Sequence, residues 1–267
     1  MVSRDLLYSD RTLLGEEAAA WVKSALGQLH YLVRGTRWDI AAVVSIIGQD
    51  NANPTVGTKL ALEYLGGYLC GTVDFTISKI CPNAITPDTF HHFVDSGHCT
   101  QKYDVYQHYS KRKSQTGVVS LLNGVPCAWR SNRQESCADS PAAAEVYALK
   151  DGVYDARLFR WVAQDFGLNV PFPAVLHTDS KQAISFAEDS CPKSKMRGAI
   201  DRREDWVTEL RDKGWAKCVK VSSEENLADI LTKPMKGPEF VSLREKTVNF
   251  QIYNVLGGLM YLVDLIV

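Results

Sequence analysis

An apolar run that is followed at once by an acid and a helix signal, at residues 174–186, most strongly constrains the fold of this chain. Residues 174–176 have the character of a buried strand, and small and apolar residues recur at helical spacing over residues 183–187. Ser180 is a favourable N-cap for that helix. Asp179 is therefore expected at the carboxyl end of a central strand, where open α/β sheets bind their ligands. Taken alone, Asp179 is better explained as a helix cap, so its role depends on acids elsewhere.

The composition is that of a globular protein of one or two domains. The chain has 267 residues, of which 45% are hydrophobic and 23% are charged, and its net charge of −1 means that nucleic acid would have to bind through local basic patches. Seven cysteines without a C-x-x-C pair argue against a disulfide framework and indicate an intracellular location, cytoplasmic or nuclear. We expect no signal peptide and no membrane association, since the apolar stretch 255–267 is too short to span a bilayer.

The order of predicted elements divides the chain into three parts. Residues 1–80 are expected to be helical, with Asp39 as the cap of a helix over residues 40–47 and with Asn53-Pro54 starting another. Residues 88–236 have the order β, ββ, α, β, α, α, β, α, which predicts an α/β domain with a mixed sheet flanked by helices. Residues 237–267 are expected to form a C-terminal tail.

Two local signals within the α/β domain are strong. Asn123-Gly124 lies between two apolar runs and predicts a β-hairpin with a two-residue turn. Ser140-Pro141 is an N-cap followed by proline at the first helical position, and it predicts a helix that runs to about Phe166.

Four acids fall at the ends of these elements, and they are Asp95, Glu145, Asp179 and Asp229. Clustered carboxylates bind hard divalent cations through oxygen, and a pair of such ions promotes phosphodiester cleavage. The chain contains 31 acids, so spacing alone does not exclude that the four are unrelated surface residues.

The contexts of these acids resemble ribonuclease H, in which the order is Asp, Glu, Asp, Asp and the Glu opens a Glu-x-x-Ala helix. Residues 116–124, 128–134 and 226–234 resemble, more narrowly, the ribonuclease H of copia-type LTR retrotransposon polyproteins. Segments within residues 29–72 resemble the helical thumb or connection region that joins reverse transcriptase to ribonuclease H in those polyproteins. The resemblance covers roughly residues 10–245, and its most specific run is Asn-Leu-Ala-Asp-Ile-Leu-Thr-Lys-Pro at 226–234.

The resemblance implies a ribonuclease H-like, five-stranded mixed sheet and cleavage of the RNA strand of an RNA–DNA hybrid. It implies two Mg²⁺ ions, with Mn²⁺ as a substitute, held by the same four acids, which would be both catalytic and metal-binding. The implied partner is the rest of a polyprotein, including a reverse transcriptase palm. Basic side chains would contact the hybrid backbone, although such runs are as often solvated loops, and they are Lys111, Arg112, Lys113, Arg130, Arg133, Lys193, Lys195 and Arg197.

Several positions depart from the family pattern. Gly97 and His98 stand where the family has an acid and a tryptophan, and Ala143 replaces a further acid. No histidine occurs between Asp179 and Asp229, so the product-release histidine of cellular ribonucleases H has no counterpart. These departures fit a working enzyme and also a catalytically inactive remnant with only a structural or nucleic-acid-binding role.

Three other interpretations have weaker support. Residues 93–96 resemble a polymerase Tyr-x-Asp-Asp turn, but Ser96 occupies the second Asp position. A transposase or integrase shares the sheet, but its acidic triad ends in Glu. A zinc site has poor ligand spacing here, and surface histidines better explain its candidate ligands, which are Cys81, His91, His92, His98, Cys99 and His108.

Overall fold

The computed structural model describes residues 4–77, 89–98, 113–170, 173–188, 212–235 and 237–250. Residues 4 and 247–250 are described by their backbone alone. The elements, in chain order, are α1 Arg4–Leu7, α2 Glu16–Gly35, the 3-10 helix η1 Trp38–Ile40, α3 Ala41–Gly48, α4 Val56–Cys70, β1 Phe75–Ile77, β2 Phe90–Gly97, β3 Gln115–Leu122, β4 Val125–Arg133, α5 Pro141–Asp165, β5 Ala174–Thr178, α6 Lys181–Ala187, β6 Ala216–Lys220, the 3-10 helix η2 Leu227–Leu231, α7 Gly237–Thr247 and β7 Val248–Phe250.

Strands β2 to β6 form a five-stranded mixed sheet in the spatial order β4-β3-β2-β5-β6. Strand β3 is antiparallel to both β2 and β4, whereas β5 is parallel to both β2 and β6. At the β3–β4 turn, Asn123 and Gly124 have φ angles of 52° and 79°, as a type I′ turn requires. The predicted five-stranded mixed sheet and its hairpin are therefore confirmed.

The two helices that follow strands in the domain begin at the predicted caps. Ser140 Oγ accepts a hydrogen bond from the Ala143 N–H at 3.1 Å, and Pro141 is the first residue of α5. Ser180 Oγ accepts from the Ala183 N–H at 3.2 Å at the start of α6. Every residue of β5 is buried, which is why this strand was recognisable as an apolar run.

The sheet separates two hydrophobic cores. On one face, α5 and α6 bury Leu149, Val153 and Phe186 against Val94 and Leu176. On the other face, η2 and α7 pack together with residues of the N-terminal region, and this core contains Trp38, Ala41, Phe93, Val119, Leu121, Leu227, Ile230, Leu231, Phe240 and Leu243. The N-terminal helices also enclose a core of their own, centred on α2, α3 and α4.

The N-terminal helical region is fixed to the sheet through β4. The rings of Trp38 and Trp129 stack with centroids 6.1 Å apart, and Trp129 Nε1 donates a hydrogen bond to the Val33 carbonyl at 2.7 Å. On the neighbouring strand β3, Gln115 Nε2 donates a hydrogen bond to Ser45 Oγ of α3 at 2.8 Å. These contacts give the two regions a shared apolar and polar boundary.

Residues 237–250 pack against the rest of the molecule. Phe240 and Leu243 of α7 are buried in the second core, and β7 pairs antiparallel with β1. The expected tail therefore contains a helix and a strand over residues 237–250, while residues 251–267 lie outside the described residues.

Asp39 does not cap a helix, contrary to the expectation. It is fully buried within η1, where its carboxylate pairs with Arg37 Nη2 at 2.9 Å and accepts a hydrogen bond from Tyr68 Oη at 2.7 Å. The N-cap of α4 is Thr55, two residues beyond Asn53. Asp39 was misassigned because its burial and its hydrogen bond with Tyr68 depend on α4, 29 residues along the chain, which local spacing does not reveal.

Two further expectations concern the last part of the domain. The predicted helix over residues 199–213 lies almost entirely outside the described residues, and the short helix after Asn226 is a 3-10 helix. Among the helices that the structure describes, none combines the length and apolar character that crossing a bilayer requires.

Candidate metal and active site

Three of the four predicted acids meet at one edge of the sheet. Asp95 lies near the end of β2, Glu145 near the start of α5, and Asp179 directly after β5. Each offers a carboxylate oxygen, and the three oxygens lie within 4.8 Å of one another. Asp95 is buried, and the other two are partly exposed, so the cluster is open to solvent on one side.

The register of the central strands explains why these acids converge. Strands β2 and β5 are parallel neighbours with Phe93 opposite His177, so the same register brings Asp95 level with Asp179 two residues later. The carboxyl ends of adjacent parallel strands share one edge of a sheet. Because Ser180 caps α6, the Asp179 carboxylate is not used as a cap and is available at that edge.

Asp229 occupies the margin of the cluster and has a cation as its partner. It is buried in η2, and its Oδ1 accepts a hydrogen bond from Lys233 Nζ at 2.7 Å. Its charge acts on Asp95, whose pKa it raises, but it is not one of the three acids with mutually close oxygens. The structure therefore brings together Asp95, Glu145 and Asp179, with Asp229 beside them.

A glycine allows η2 to lie against the sheet at this point. Gly117 pairs with Asp95 across the β2–β3 ladder. A Cβ on Gly117 would lie 2.8 Å from the Ala228 carbonyl oxygen and equally close to the side chains of Leu231 and Thr232. The absence of a side chain at 117 thus lets the segment that carries Asp229 approach Asp95.

Two hydroxyl groups hydrogen-bond to the acids, and one side-chain amide ties η2 to the sheet. Thr232 Oγ1 donates to Asp95 Oδ2 at 2.5 Å, and Ser223 Oγ donates to Asp179 Oδ2 at 2.6 Å. Asn226 Nδ2 donates to the Val94 carbonyl at 3.0 Å and ties the start of η2 to β2. Sequence reasoning assigned no role to these residues or to Lys233. The spacing of four between Asp229 and Lys233 was a usable signal, because such residues are neighbours on one side of a helical turn.

The electrostatics show a site with unbalanced negative charge. Burial, with added repulsion from Asp229, raises the pKa of Asp95 to about 7, although Thr232 and Lys233 act in the opposite direction. Burial, with repulsion from Asp95 and Asp179, raises the pKa of Glu145 to about 9. Glu145 Oε2 is buried and has no hydrogen-bond partner in the described part of the structure. A cation is the natural complement of such a group.

Comparison with known proteins agrees with the sequence motifs. The chain is 29% identical over 231 residues, 86% of its length, to the "Retrovirus-related Pol polyprotein from transposon TNT 1-94" of Nicotiana tabacum. It is 25% identical over 225 residues, 84% of its length, to the corresponding polyprotein from transposon RE1 of Arabidopsis thaliana. Its homologues are Pol polyproteins of copia-type transposons. The predicted copia-type resemblance is thereby confirmed.

The chain spans only 16% and 14% of the lengths of these two copia-type polyproteins. No protein-family model matches it. Among solved structures, an LC11-RNase H1 isolated from compost aligns with 54% of this chain and 93% of that chain, at 15% identity and a TM-score of 0.41.

Only some of the predicted nucleic-acid contacts fall within the described residues. Arg133 is exposed at the end of β4. Arg130 instead pairs with Asp155 Oδ1 of α5 at 3.1 Å, and Lys113 Nζ donates to the Glu135 carbonyl. The remaining predicted residues lie outside the described part of the chain, and they are Lys111, Arg112, Lys193, Lys195 and Arg197.

The surface explanation offered for the histidines of β2 is wrong. His91 and His92 are fully buried, because β2 is the central strand and is covered on both faces. His91 Nδ1 lies 2.8 Å from His177 Nε2, whereas His92 Nδ1 lies 2.8 Å from Ser120 Oγ. Cys81, Cys99 and His108 fall outside the described residues. Within the described ranges, the three acids are the one group of potential metal ligands with suitable geometry.

Proposed function

We propose that this chain is the ribonuclease H part of a retrotransposon polyprotein and that it hydrolyses the RNA strand of RNA–DNA hybrids with the help of divalent metal ions. The observation that carries the proposal is the convergence of Asp95, Glu145 and Asp179 within 4.8 Å from three separate elements. The homology to copia-type Pol polyproteins supports the same function, since all four acids lie in the region that matches them.

The residues present fit a hard divalent cation. Their donors are all carboxylate oxygens, which Mg²⁺ and Mn²⁺ prefer to nitrogen or sulfur. The buried Glu145 Oε2 has no partner among the described residues, and a cation would satisfy it. Asp95, Glu145 and Asp179 would hold one ion, and Asp95 with Asp229 would contribute to a second. When bound, such ions lower the pKa of a water and stabilise the departing oxygen of a phosphodiester.

The chain itself supplies position and charge. Thr232 and Ser223 fix the carboxylates of Asp95 and Asp179 through short hydrogen bonds, so that these acids need little reorganisation when they bind a cation. Arg133 and the basic residues of the two loops would contact phosphates, which makes hybrid binding dependent on salt and independent of sequence. The 2′-hydroxyl group would distinguish the RNA strand.

The proposal also includes the N-terminal helical region and a partner domain. We infer that residues 1–80 act as the thumb or connection segment, because Trp38 and Val33 contact Trp129 on the edge strand of the sheet. A reverse transcriptase palm upstream in the polyprotein is the partner that this arrangement would position.

The test is cleavage of an end-labelled RNA–DNA hybrid by the purified 267-residue chain in Mg²⁺ or Mn²⁺. We expect cleavage of the RNA strand alone, no cleavage of duplex DNA, and loss of at least 99% of the activity in Asp95→Asn and Glu145→Gln. Glu17→Gln serves as a folded control, because Glu17 is an exposed acid of α2 and is not one of the four acids of the site. If the wild-type chain cuts no faster than the two acid variants, the chain is an inactive remnant.

A further inference from the structure

The acidic cluster has two halves with different partners, and they share Asp95. In the first half, Asp95, Glu145 and Asp179 bring three oxygens within 4.8 Å, and one oxygen of Glu145 is buried without a hydrogen-bond partner in the described structure. In the second half, Asp229 is already paired with Lys233 at 2.7 Å. The first half therefore has no cationic side chain from the described residues among its three acids, whereas the second half contains the ammonium group of Lys233.

We propose that Lys233 occupies the second cation position of the metal site, so that one divalent ion binds first and a second must displace the Lys233 ammonium group. This inference rests on the proposed function, and it makes Lys233 a residue that sets the order and affinity of metal binding.

The position of Lys233 suits this role. Its Nζ lies 2.7 Å from Asp229 Oδ1, and Asp229 is close enough to Asp95 to repel its carboxylate. An ammonium group and a divalent ion both stabilise the Asp95–Asp229 pair, and neither leaves room for the other near one carboxylate oxygen.

The Lys233 side chain can also move away from Asp229. Its exposed fraction is 42%, whereas that of Asp229 is 12%, so the ammonium group can move into water without unpacking η2. An ion pair of this exposure is weak, so it lowers the affinity for a divalent ion without excluding that ion. Thr232 remains in place during the exchange because its hydroxyl binds Asp95 from within the core.

The experiment measures Mn²⁺ binding to the full chain by electron paramagnetic resonance and calorimetry at pH 7.5, without nucleic acid. We expect wild type to bind one Mn²⁺ and to bind a second at least tenfold more weakly. Lys233→Met keeps the aliphatic stem and removes the charge, so it should tighten the second ion about tenfold and strengthen the spin coupling between two adjacent Mn²⁺ ions. Lys233→Arg keeps the charge and should behave as wild type.

Lys59→Met is the matched control. Lys59 pairs with Glu63 four residues away on α4 at 3.6 Å, with a similar exposure of 43%, and it is remote from the acids. The inference is overturned if Lys233→Met leaves the second-ion affinity within twofold of wild type, or if Lys233→Arg tightens it equally. Absence of any Mn²⁺ binding to wild type, or first-ion binding unaffected by Glu145→Gln, would instead contradict the proposed metal site itself.

Discussion

Gly117 lies directly opposite Asp95 in the β2–β3 ladder, and a Cβ on Gly117 would fall 2.8 Å from the Ala228 carbonyl oxygen. The acid and the helix that carries Asp229 therefore meet across a residue with no side chain. The position couples the packing of η2 to the geometry of the acidic cluster.

Gly117→Ala should accordingly affect stability and metal binding together. The added methyl group must push η2 from the sheet, which typically costs about 1–3 kcal/mol of unfolding free energy. Urea unfolding measures that cost, and calorimetry with Mg²⁺ measures the accompanying loss of affinity. Gly66→Ala is the control, since among the described residues no heavy atom beyond its chain neighbours and its own helix backbone lies within 4 Å of its Cβ position, and alanine there should be neutral or stabilising. Equal stability of the two variants would show that η2 does not press on Gly117.

Glu145→Gln should stabilise the metal-free protein at pH 8. The unfolded chain ionises Glu145 above its ordinary pKa of 4.5, whereas the folded protein resists ionisation until about 9, so stability falls as the pH rises through this window. Glutamine removes that penalty, which reaches at most about 4–5 kcal/mol at pH 8. Thermal unfolding should show a higher Tm for the variant without metal and a Mg²⁺-induced rise in Tm only for wild type. Exposed Glu17→Gln should match wild type in both conditions.

The buried histidines should make the fold sensitive to acid. Burial lowers the pKa of His92 to about 3 and that of His177 to about 4, so both stay neutral in the folded protein while the unfolded chain takes up protons below about 6.5. From pH 7 to pH 5, each should cost roughly 2 kcal/mol of unfolding free energy.

A difference measurement isolates this effect from the carboxylates, whose raised pKa values act in the opposite direction. Urea unfolding of His177→Gln at pH 7 and pH 5 should show a loss about 2 kcal/mol smaller than that of wild type. His30→Gln, at an exposed position on α2, should show the full wild-type loss. A His177→Gln variant with the same pH dependence as wild type would contradict the assignment.

The buried ion pair of the helical region should matter far more than a surface pair. Asp39→Ala leaves the guanidinium of Arg37 buried beside Thr72 without its counter-charge, which typically costs about 3–5 kcal/mol. Glu63→Ala removes an exposed partner of Lys59 and should change stability by less than about 1 kcal/mol. In a double-mutant cycle, Arg37→Met with Asp39→Ala should be less destabilising than the sum of the single changes. Strict additivity would show that the pair is not coupled.

Local signals in the sequence determined most of the elements. The turn at Asn123-Gly124, the cap at Ser140 and the buried run of β5 each depend on a few consecutive residues, and the structure forms each of them where those residues are. The positions of the four acids at element ends and the motifs shared with copia-type Pol polyproteins were also visible in the chain alone.

Only the tertiary structure decided what meets at the site and what lies in the core. Strand order and register bring Asp95 beside Asp179 and bury His91, while the close approach of η2 to Gly117 brings Asp229 beside Asp95. Asp39 was expected to be a cap, but Tyr68 and Thr72, about 30 residues away, contact Asp39 and Arg37 and bury their local ion pair. The physical reason is range: caps, turns and the two ion pairs are set within about four residues, whereas burial and the convergence of the acids depend on contacts between distant parts of the chain.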